Sequence, residues 1–300
     1  MRSAARTRSV AGMRPSLLPR LAAAVLTTAA ALAAAAPAHA ADAVFGGSSR
    51  GGDPIVLKAD PATAVLRSIV ISWRAQCSDG TFFPGGGPLT PAEPQAVPGF
   101  VANPNELLMS RNAKGRFSGT QLGGTSNAAI NVTVDGKLKA GTARGTLRAM
   151  VKVIDPATGA AVTSCTASQN WVAARSPGVV YAGGTSQGQP FVLRVDAKHK
   201  HVDDVLTSWF AQCTSDGFYF VPDHLINFPV KSTGAFGHPF AYDVDADAGG
   251  KRHNAYTFSG KLTSKAAKGK LQVKITDTDA AGAQSDSCDT GAMSFTAATG

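Results

Sequence analysis

Residues 69–77 read IVISWRAQC, and residues 205–213 read VLTSWFAQC. Both stretches alternate with a period of two, which is typical of a β-strand that turns one face toward a core. The core face of the first stretch carries Ile69, Ile71, Trp73, Ala75 and Cys77. A tryptophan four residues before a cysteine on the same strand face is typical of a sandwich in which an aromatic side chain packs beside an inter-sheet disulfide. We interpret this strand as the centre of a β-domain that the chain contains twice.

The similarity extends well beyond the central strands. Residues 54–79 match residues 190–215, and residues 130–157 match residues 254–281, both without a gap. Shared residues are Asp60/Asp196, Gly136/Gly260, Gly145/Gly269 and Asp155/Asp279. The aspartates are interpreted as turn residues, and the Gly-Lys pairs at 136–137 and 260–261 as hairpin turns.

Glycine and proline interrupt the chain after residue 40 so often that no long helical period appears. The predicted fold is therefore all-β, with two tandem antiparallel β-sandwiches or flattened barrels at residues 41–176 and 177–300. Each half is expected to fold alone. The interval from Gly80 to Arg111, rich in proline and glycine, is predicted to be an irregular loop.

The four cysteines divide evenly between the two halves. Four cysteines permit three pairings, but the duplication selects Cys77 with Cys165 and Cys213 with Cys288, one disulfide per domain at matching places. A zinc site is a weaker interpretation, because the cysteines lack close pairing.

Residues 1–40 have the pattern of a secretory signal peptide, with five arginines before an apolar run and an Ala-His-Ala end at residues 38–40. Cleavage is expected near Ala40. The apolar run is too short and too rich in alanine for a permanent membrane anchor, so we expect a protein that is secreted or on the cell-envelope exterior, with no stable membrane insertion.

Net charge argues against nucleic-acid binding. Five of the 29 basic residues and none of the 20 acidic ones lie in residues 1–40, which leaves 24 basic and 20 acidic residues in the mature chain. A nucleic-acid-binding domain is expected to be strongly basic throughout, and neither half is.

Catalytic motifs are weak. Ser49 and Ser186 each stand in a G-x-S-x-G pattern, but a strand follows both patterns, whereas a nucleophile elbow leads into a helix. The alternative to a binding protein is a secreted hydrolase whose site lies in the second half around His224, His238 and Asp243, because every histidine of the mature chain lies in that half.

Two patterns suggest metal binding without reaching a known motif. Asp243, Asp245 and Asp247 have calcium-loop spacing, but Ala248 replaces the required glycine and Asn254 the closing glutamate. An acidic hairpin is the favoured interpretation. His199 and His201 could share a strand face, although a solvated turn is favoured there. We predict no metal site and no cofactor.

Basic residues follow one strand face in each half. They are Arg144, Arg148 and Lys152, and Lys268, Lys270 and Lys274. Two such stripes on one chain could bind an anionic polysaccharide or another cell-envelope polymer. The alternative is that these cations protect an exposed sheet edge from aggregation.

Aromatic residues follow the central strand in both halves, at residues 82–83 and 218–220. Phe210 and Tyr219 are the candidates for stacking on a ligand, with ordinary core packing as the alternative.

The phrase YAGGTSQGQP at residues 181–190, together with Trp209, Cys213 and the sequence CDTG at residues 288–291, resembles a repeat of secreted proteins from high-GC bacteria that have no known activity. The resemblance covers the second half and, more weakly, the first. It implies an extracellular address and a β-fold. We therefore predict a non-enzymatic extracellular binding or surface protein.

Overall fold

The computed structural model describes residues 41–93, 103–125, 127–175, 178–215, 217–246 and 249–300. Within these ranges the fold is all-β, with no α-helix, which confirms the predicted fold class. The signal-peptide prediction at residues 1–40 lies outside the described residues, as do Ser176, Pro177 and Asp247.

The first half is a closed barrel in which neighbouring strands follow chain order and the last strand pairs with the first. All pairings are antiparallel except the short parallel one between β4 and β5. The strands are β1 (Ala43–Ser49), β2 (Pro54–Ala59), β3 (Leu66–Cys77), β4 (Phe82–Ala92), β5 (Glu106–Ala113), β6 (Arg116–Thr125), β7 (Ala128–Leu138), β8 (Thr142–Ile154) and β9 (Ala161–Ala174).

The second half is antiparallel throughout, and six of its strands close a ring in the order β12, β11, β10, β19, β17, β18. The strands are β10 (Val180–Thr185), β11 (Pro190–Val195), β12 (His201–Cys213), β13 (Phe218–Pro229), β14 (Ala235–Phe236), β15 (Phe240–Asp245), β16 (Lys251–Leu262), β17 (Ala266–Thr278), β18 (Gln284–Asp289) and β19 (Met293–Thr299). The other four strands, β13, β14, β15 and β16, extend the sheet beyond the ring.

The two tryptophan-containing stretches form the cores as predicted. Trp73 on β3 and Trp209 on β12 are 2% and 1% exposed, and each belongs to the separate hydrophobic core of its own half. Both predicted disulfides are present, Cys77–Cys165 and Cys213–Cys288, and each joins directly opposed strand residues. One core and one disulfide per half follow from the same alternating strand.

The opposite face of the two central strands is also buried around Ser72 and Ser208, where it forms the contact between the halves. A third apolar cluster fills this contact, with Val44 and Val56 from one half and Val180, Ala182, Val192 and Leu206 from the other. At its centre the Oγ atoms of Ser72 and Ser208 lie 2.6 Å apart, and both bond the buried Gln189 side chain. Independent folding of each half stays a prediction, and it would expose this surface.

The predicted hairpin turns at 136–137 and 260–261 are wrong. Gly136 and Gly260 lie inside strands β7 and β16, and the turns come at residues 139–141 and 263–265. The glycines are needed because aromatic rings cover the strands at these points. A Cβ atom on Gly136 would lie 2.2 Å from Phe117, and one on Gly260 would lie 2.3 Å from Phe236.

The predicted irregular loop from Gly80 to Arg111 is also wrong in its described parts, which contain β4 and most of β5. Gly85 lies opposite Trp73 on β3, and a Cβ atom there would lie 2.2 Å from the indole ring. The prolines at 84 and 88 are tolerated because this part of β4 pairs with β3 alone. Residues 94–102 lie outside the described residues.

Aspartates close several turns, as predicted. Asp60 accepts hydrogen bonds from the backbone of Ala62 and Thr63, and Asp196 from that of Lys200 and His201. Such bonds favour the ionised carboxylate over the protonated form.

Acid should destabilise the protein through Asp60 and Asp286, two partly exposed carboxylates that accept such bonds. The Thr63 amide holds the pKa of Asp60 at about 2, and the Ser215 hydroxyl holds that of Asp286 at about 2, against an ordinary value of 3.8. A carboxylate with a lowered folded pKa contributes stability that is present above the ordinary value and is lost as pH falls toward the folded value. The free energy of unfolding should therefore fall between pH 3.8 and about 2, and less steeply in an Asp60→Asn/Asp286→Asn variant, by urea denaturation at each pH.

Asp53 acts in the opposite sense. Burial raises its pKa, an effect that Arg74 partly offsets, so its contribution to stability is present at low pH and lost as pH rises through the folded pKa.

The control for the Asp60→Asn/Asp286→Asn variant is Asp203→Asn, at an exposed aspartate, which should keep the wild-type dependence of unfolding free energy on pH. If the double variant keeps that dependence too, the turn carboxylates are not the source of acid sensitivity.

Candidate functional site

The first cationic face lies on the outer surface of β6, β7 and β8. Lys137 stands directly opposite Arg116 on one side and Arg144 on the other, so three cations form a row across three strands. Arg148 and Lys152 continue outward along β8, and all five side chains are exposed. Among the described residues, none of the five forms an ion pair.

The second cationic face repeats this arrangement on β16 and β17. Lys261 stands directly opposite Lys268, with Lys270 two residues further along β17, and all three are exposed. Lys274 differs, because its Nζ lies 3.9 Å from a carboxylate oxygen of Asp289. The face in the second half is therefore shorter than the sequence predicts.

Neither face lies on a sheet edge. β7 pairs with β6 and β8, and β8 pairs with β7 and β9. In the second half β17 pairs with β16 on one side and with β18 and β19 on the other. Edge protection needs unpaired backbone groups to protect, so it does not account for these cations.

The first cationic face leads to a cleft of about 380 Å³ at the end of the barrel. Lys139, in the turn after β7, lines it with Lys114 and Arg175, and Asp60 contributes the one carboxylate of the described lining, so cations outnumber anions by three to one. The Nε atom of Arg175 is buried and has no hydrogen-bond acceptor within the described part of the chain. A buried donor without an acceptor is costly, so this cleft is suited to an anionic group.

The corresponding end of the second half has a cleft of about 710 Å³. Lys198, Lys200 and Lys231 line it together with the two histidines of the predicted turn, His199 and His201. The surrounding lysines make this cleft cationic, which disfavours a metal ion between the histidines.

The aromatic candidates are partly engaged inside the protein. The ring of Tyr219 lies beneath the guanidinium of Arg252 at 4.4 Å, and its hydroxyl donates to Asp277. Phe210 is half-buried between Phe218 and Phe220, with ring centroids 6.1 and 4.7 Å away. Their role in ligand binding stays a prediction.

His224 and His238, named for the hydrolase alternative, do line one cleft, of about 540 Å³ between β13 and the segment that leads into β15. Asp243 does not line it, and its carboxylate pairs instead with Nδ1 of His253 at 2.7 Å. His224 pairs with Asp204 through Nε2. The structure thus brings the two histidines together but directs the third residue to another partner.

Candidate metal ligands have other partners. Asp245 pairs with Lys251, as Asp243 does with His253. Cys213, Asp286 and Cys288 lie close enough to share an ion, but both sulfurs are in a disulfide.

Neither serine of the two G-x-S-x-G patterns is placed as a nucleophile. Ser49 Oγ accepts from the backbone of Gly51 and Asp53, and Ser186 Oγ accepts from the backbone of Ser294. Ser49 stabilises its own turn, and Ser186 ties the turn after β10 to β19.

Sequence reasoning missed Lys137, Lys261 and Arg175. The first two were assigned to hairpin turns, although their identical G-K-L context in both halves was a usable signal. No local pattern marks Arg175, whose position depends on the barrel end assembling from distant segments.

The two disulfides indicate an extracytoplasmic protein. Among the described residues no helix has the length and apolar character needed to cross a bilayer. No protein-family model matches the chain, and no curated protein shows significant similarity to it.

Proposed function

We propose that this chain is an exported, non-enzymatic binding protein that holds an anionic polysaccharide of the cell envelope on its two cationic faces. In this proposal residues 1–40 are a signal peptide cleaved near Ala40, and residues 41–176 and 177–300 are two copies of one β-domain. The observation that carries the proposal is the pair of directly opposed like charges, Lys137 with Arg144 and Lys261 with Lys268, on strands that are paired along both edges.

Opposed like charges have an energetic cost. Direct cross-strand neighbours of the same sign destabilise a sheet. This cost occurs at the same register in both halves, and none of the four residues has an ion-pair partner in the described part of the chain. An external anion that neutralises the four charges would explain it. The unsatisfied Nε of Arg175 at the end of the first face supports the same ligand chemistry.

A polysaccharide fits better than a nucleic acid. The cations are confined to local faces, whereas the mature chain as a whole is only slightly basic. Two faces on one chain would bind a long polymer more tightly than either face alone.

The test removes the four opposed charges together. A Lys137→Gln/Arg144→Gln/Lys261→Gln/Lys268→Gln variant should bind polygalacturonate and heparin resins at least about tenfold more weakly than wild type at low salt, since each lost contact reduces a screened attraction. Wild-type retention should fall steeply with added NaCl. The measurement is the elution profile on both resins.

A matched control separates site from net charge. Arg50→Gln/Lys58→Gln/Lys251→Gln/Lys265→Gln removes as many exposed charges, two from each half, away from the opposed pairs and from the lining of both cationic clefts. The variant that lacks the four opposed charges should also unfold at a temperature equal to or higher than that of wild type, because repulsion between neighbouring strands is relieved. Equal loss of retention in both variants would reduce the effect to net charge and overturn the proposal.

A further inference from the structure

The two halves differ in the pairing of the strand that follows the central strand. In the first half β4 pairs with β5 at residues 90–92 and closes the barrel. In the second half the equivalent strand β13 pairs with β12 alone, and β15 pairs with β16 alone, as far as the described residues show. The open seam between them is the 540 Å³ cleft that contains His224 and His238, and we call it the aromatic slot.

A row of rings lines one wall of the aromatic slot. His238, Phe240 and Tyr242 occupy alternate positions, so their rings point to the same side at intervals of about 7 Å along an extended chain. His238 and Tyr242 are exposed, Tyr242 to 44%. Flat apolar faces at regular intervals suit a linear ligand with repeating ring-shaped units.

The row is held in place from behind by Tyr256, which is 2% exposed. Phe240 stacks on Tyr256 at 4.6 Å and Tyr242 stacks on it at 5.8 Å, with the two tyrosine hydroxyls 3.3 Å apart. The ring of Phe228 from β13 contacts His238 at 5.4 Å across the slot. These contacts fix the rings before a ligand binds, which lowers the entropic cost of binding.

The charge of the lining selects the ligand class. Among the described residues that line the slot there is no lysine or arginine, and Asp223 is the one carboxylate. An anionic chain would therefore find no counter-charge. A neutral sugar presents apolar C–H faces to rings and hydroxyls to polar groups such as Asp223 and His238.

We propose that the aromatic slot binds a neutral linear oligosaccharide without cleaving it. Glycosidic cleavage uses two carboxyl groups on either side of the bond. Asp223 accepts from the Trp209 indole and from the His224 amide, so the slot's single carboxylate holds the wall together. This site is independent of the cationic faces.

The experiment measures binding of cellohexaose, xylohexaose and chitohexaose to the full chain by isothermal titration calorimetry. At least one should bind wild type, and Tyr242→Ala should weaken it about tenfold, the effect of losing one ring contact. Tyr242→Phe keeps the ring and should bind as wild type, which separates stacking from misfolding. The control Phe218→Ala removes an exposed ring of β13 that does not line the slot, and it should leave the affinity for the sugar unchanged.

Several results would overturn the proposal. They are no binding of any of the three sugars, unchanged binding by Tyr242→Ala, and release of shorter products, which would favour the hydrolase alternative. Binding of an alternating Thr-Val octapeptide but no sugar would assign the slot to strand addition instead. The variant that lacks Lys137, Arg144, Lys261 and Lys268 should keep its sugar binding, so failure here and failure of the polyanion proposal are distinguishable.

Discussion

Replacing Cys213 and Cys288 by alanine should lower the free energy of unfolding of the second half by about 4–5 kcal/mol, the loop-closure value for a separation of 75 residues. Without the bond, the unfolded chain regains the conformational freedom that the disulfide removes. The bond joins β12 to β18, so its loss also weakens the strand pairing that closes the six-strand ring. Urea denaturation followed by fluorescence measures the change.

The control for this variant is wild-type protein under reducing conditions, which break Cys213–Cys288 without a change at those residues and break Cys77–Cys165 as well. The variant and the wild type are therefore also compared with both samples reduced, where they should unfold at similar urea concentrations. If the alanine variant loses less than about 1 kcal/mol, the stabilisation does not arise from loop closure.

Gly145→Val should destabilise the first half by about 3–5 kcal/mol, at the upper end of single substitutions, because its side chain has no space. A Cβ atom on Gly145 would lie 1.8 Å from the carbonyl oxygen of Asp135 and 2.6 Å from the Trp171 ring. Gly269→Val should have a similar effect in the second half, where Ser259 and Phe295 occupy the same space. Thermal denaturation followed by circular dichroism gives the shift in each half.

The control for the glycine variants is Gly141→Ala, in the turn between β7 and β8. No atom lies within 4 Å of the Cβ position there, so the substitution should be neutral or slightly stabilising. Equal stability of Gly145→Val and Gly141→Ala would mean that the strands do not approach as closely as described.

The central strands could be predicted because their signals are local, and both disulfides because the duplication places the cysteines at matching positions. The alternation before Cys77 and Cys213 needs only neighbouring residues to show which side chains face inward. Strand β4 could not be predicted, because glycines in a sequence are typical of turns. Here Gly85 makes room for the Trp73 indole, which belongs to another strand. Gly136 gives a misleading turn signal for the same reason, since Phe117 covers it from another strand.

The candidate sites also depend on contacts between strands that are distant in the sequence. The stripe on β8 could be read from Arg144, Arg148 and Lys152, but its opposed partner Lys137 depends on the strand register. Whether these cations guard an edge depends on which strands are neighbours, and the sequence does not contain that information. The aromatic slot exists because β13 and β15 do not pair, which is a property of the assembled sheet.

The closing strands have a consequence for the order of folding. β1 pairs with β9, more than a hundred residues later, and β10 pairs with β19 at the very end of the chain. Such non-local pairing must overcome the entropy of closing long loops, which slows folding relative to proteins with local contacts. During synthesis the first half cannot complete its barrel before residue 174 is available, and the second cannot complete its ring before residues 293–299 are.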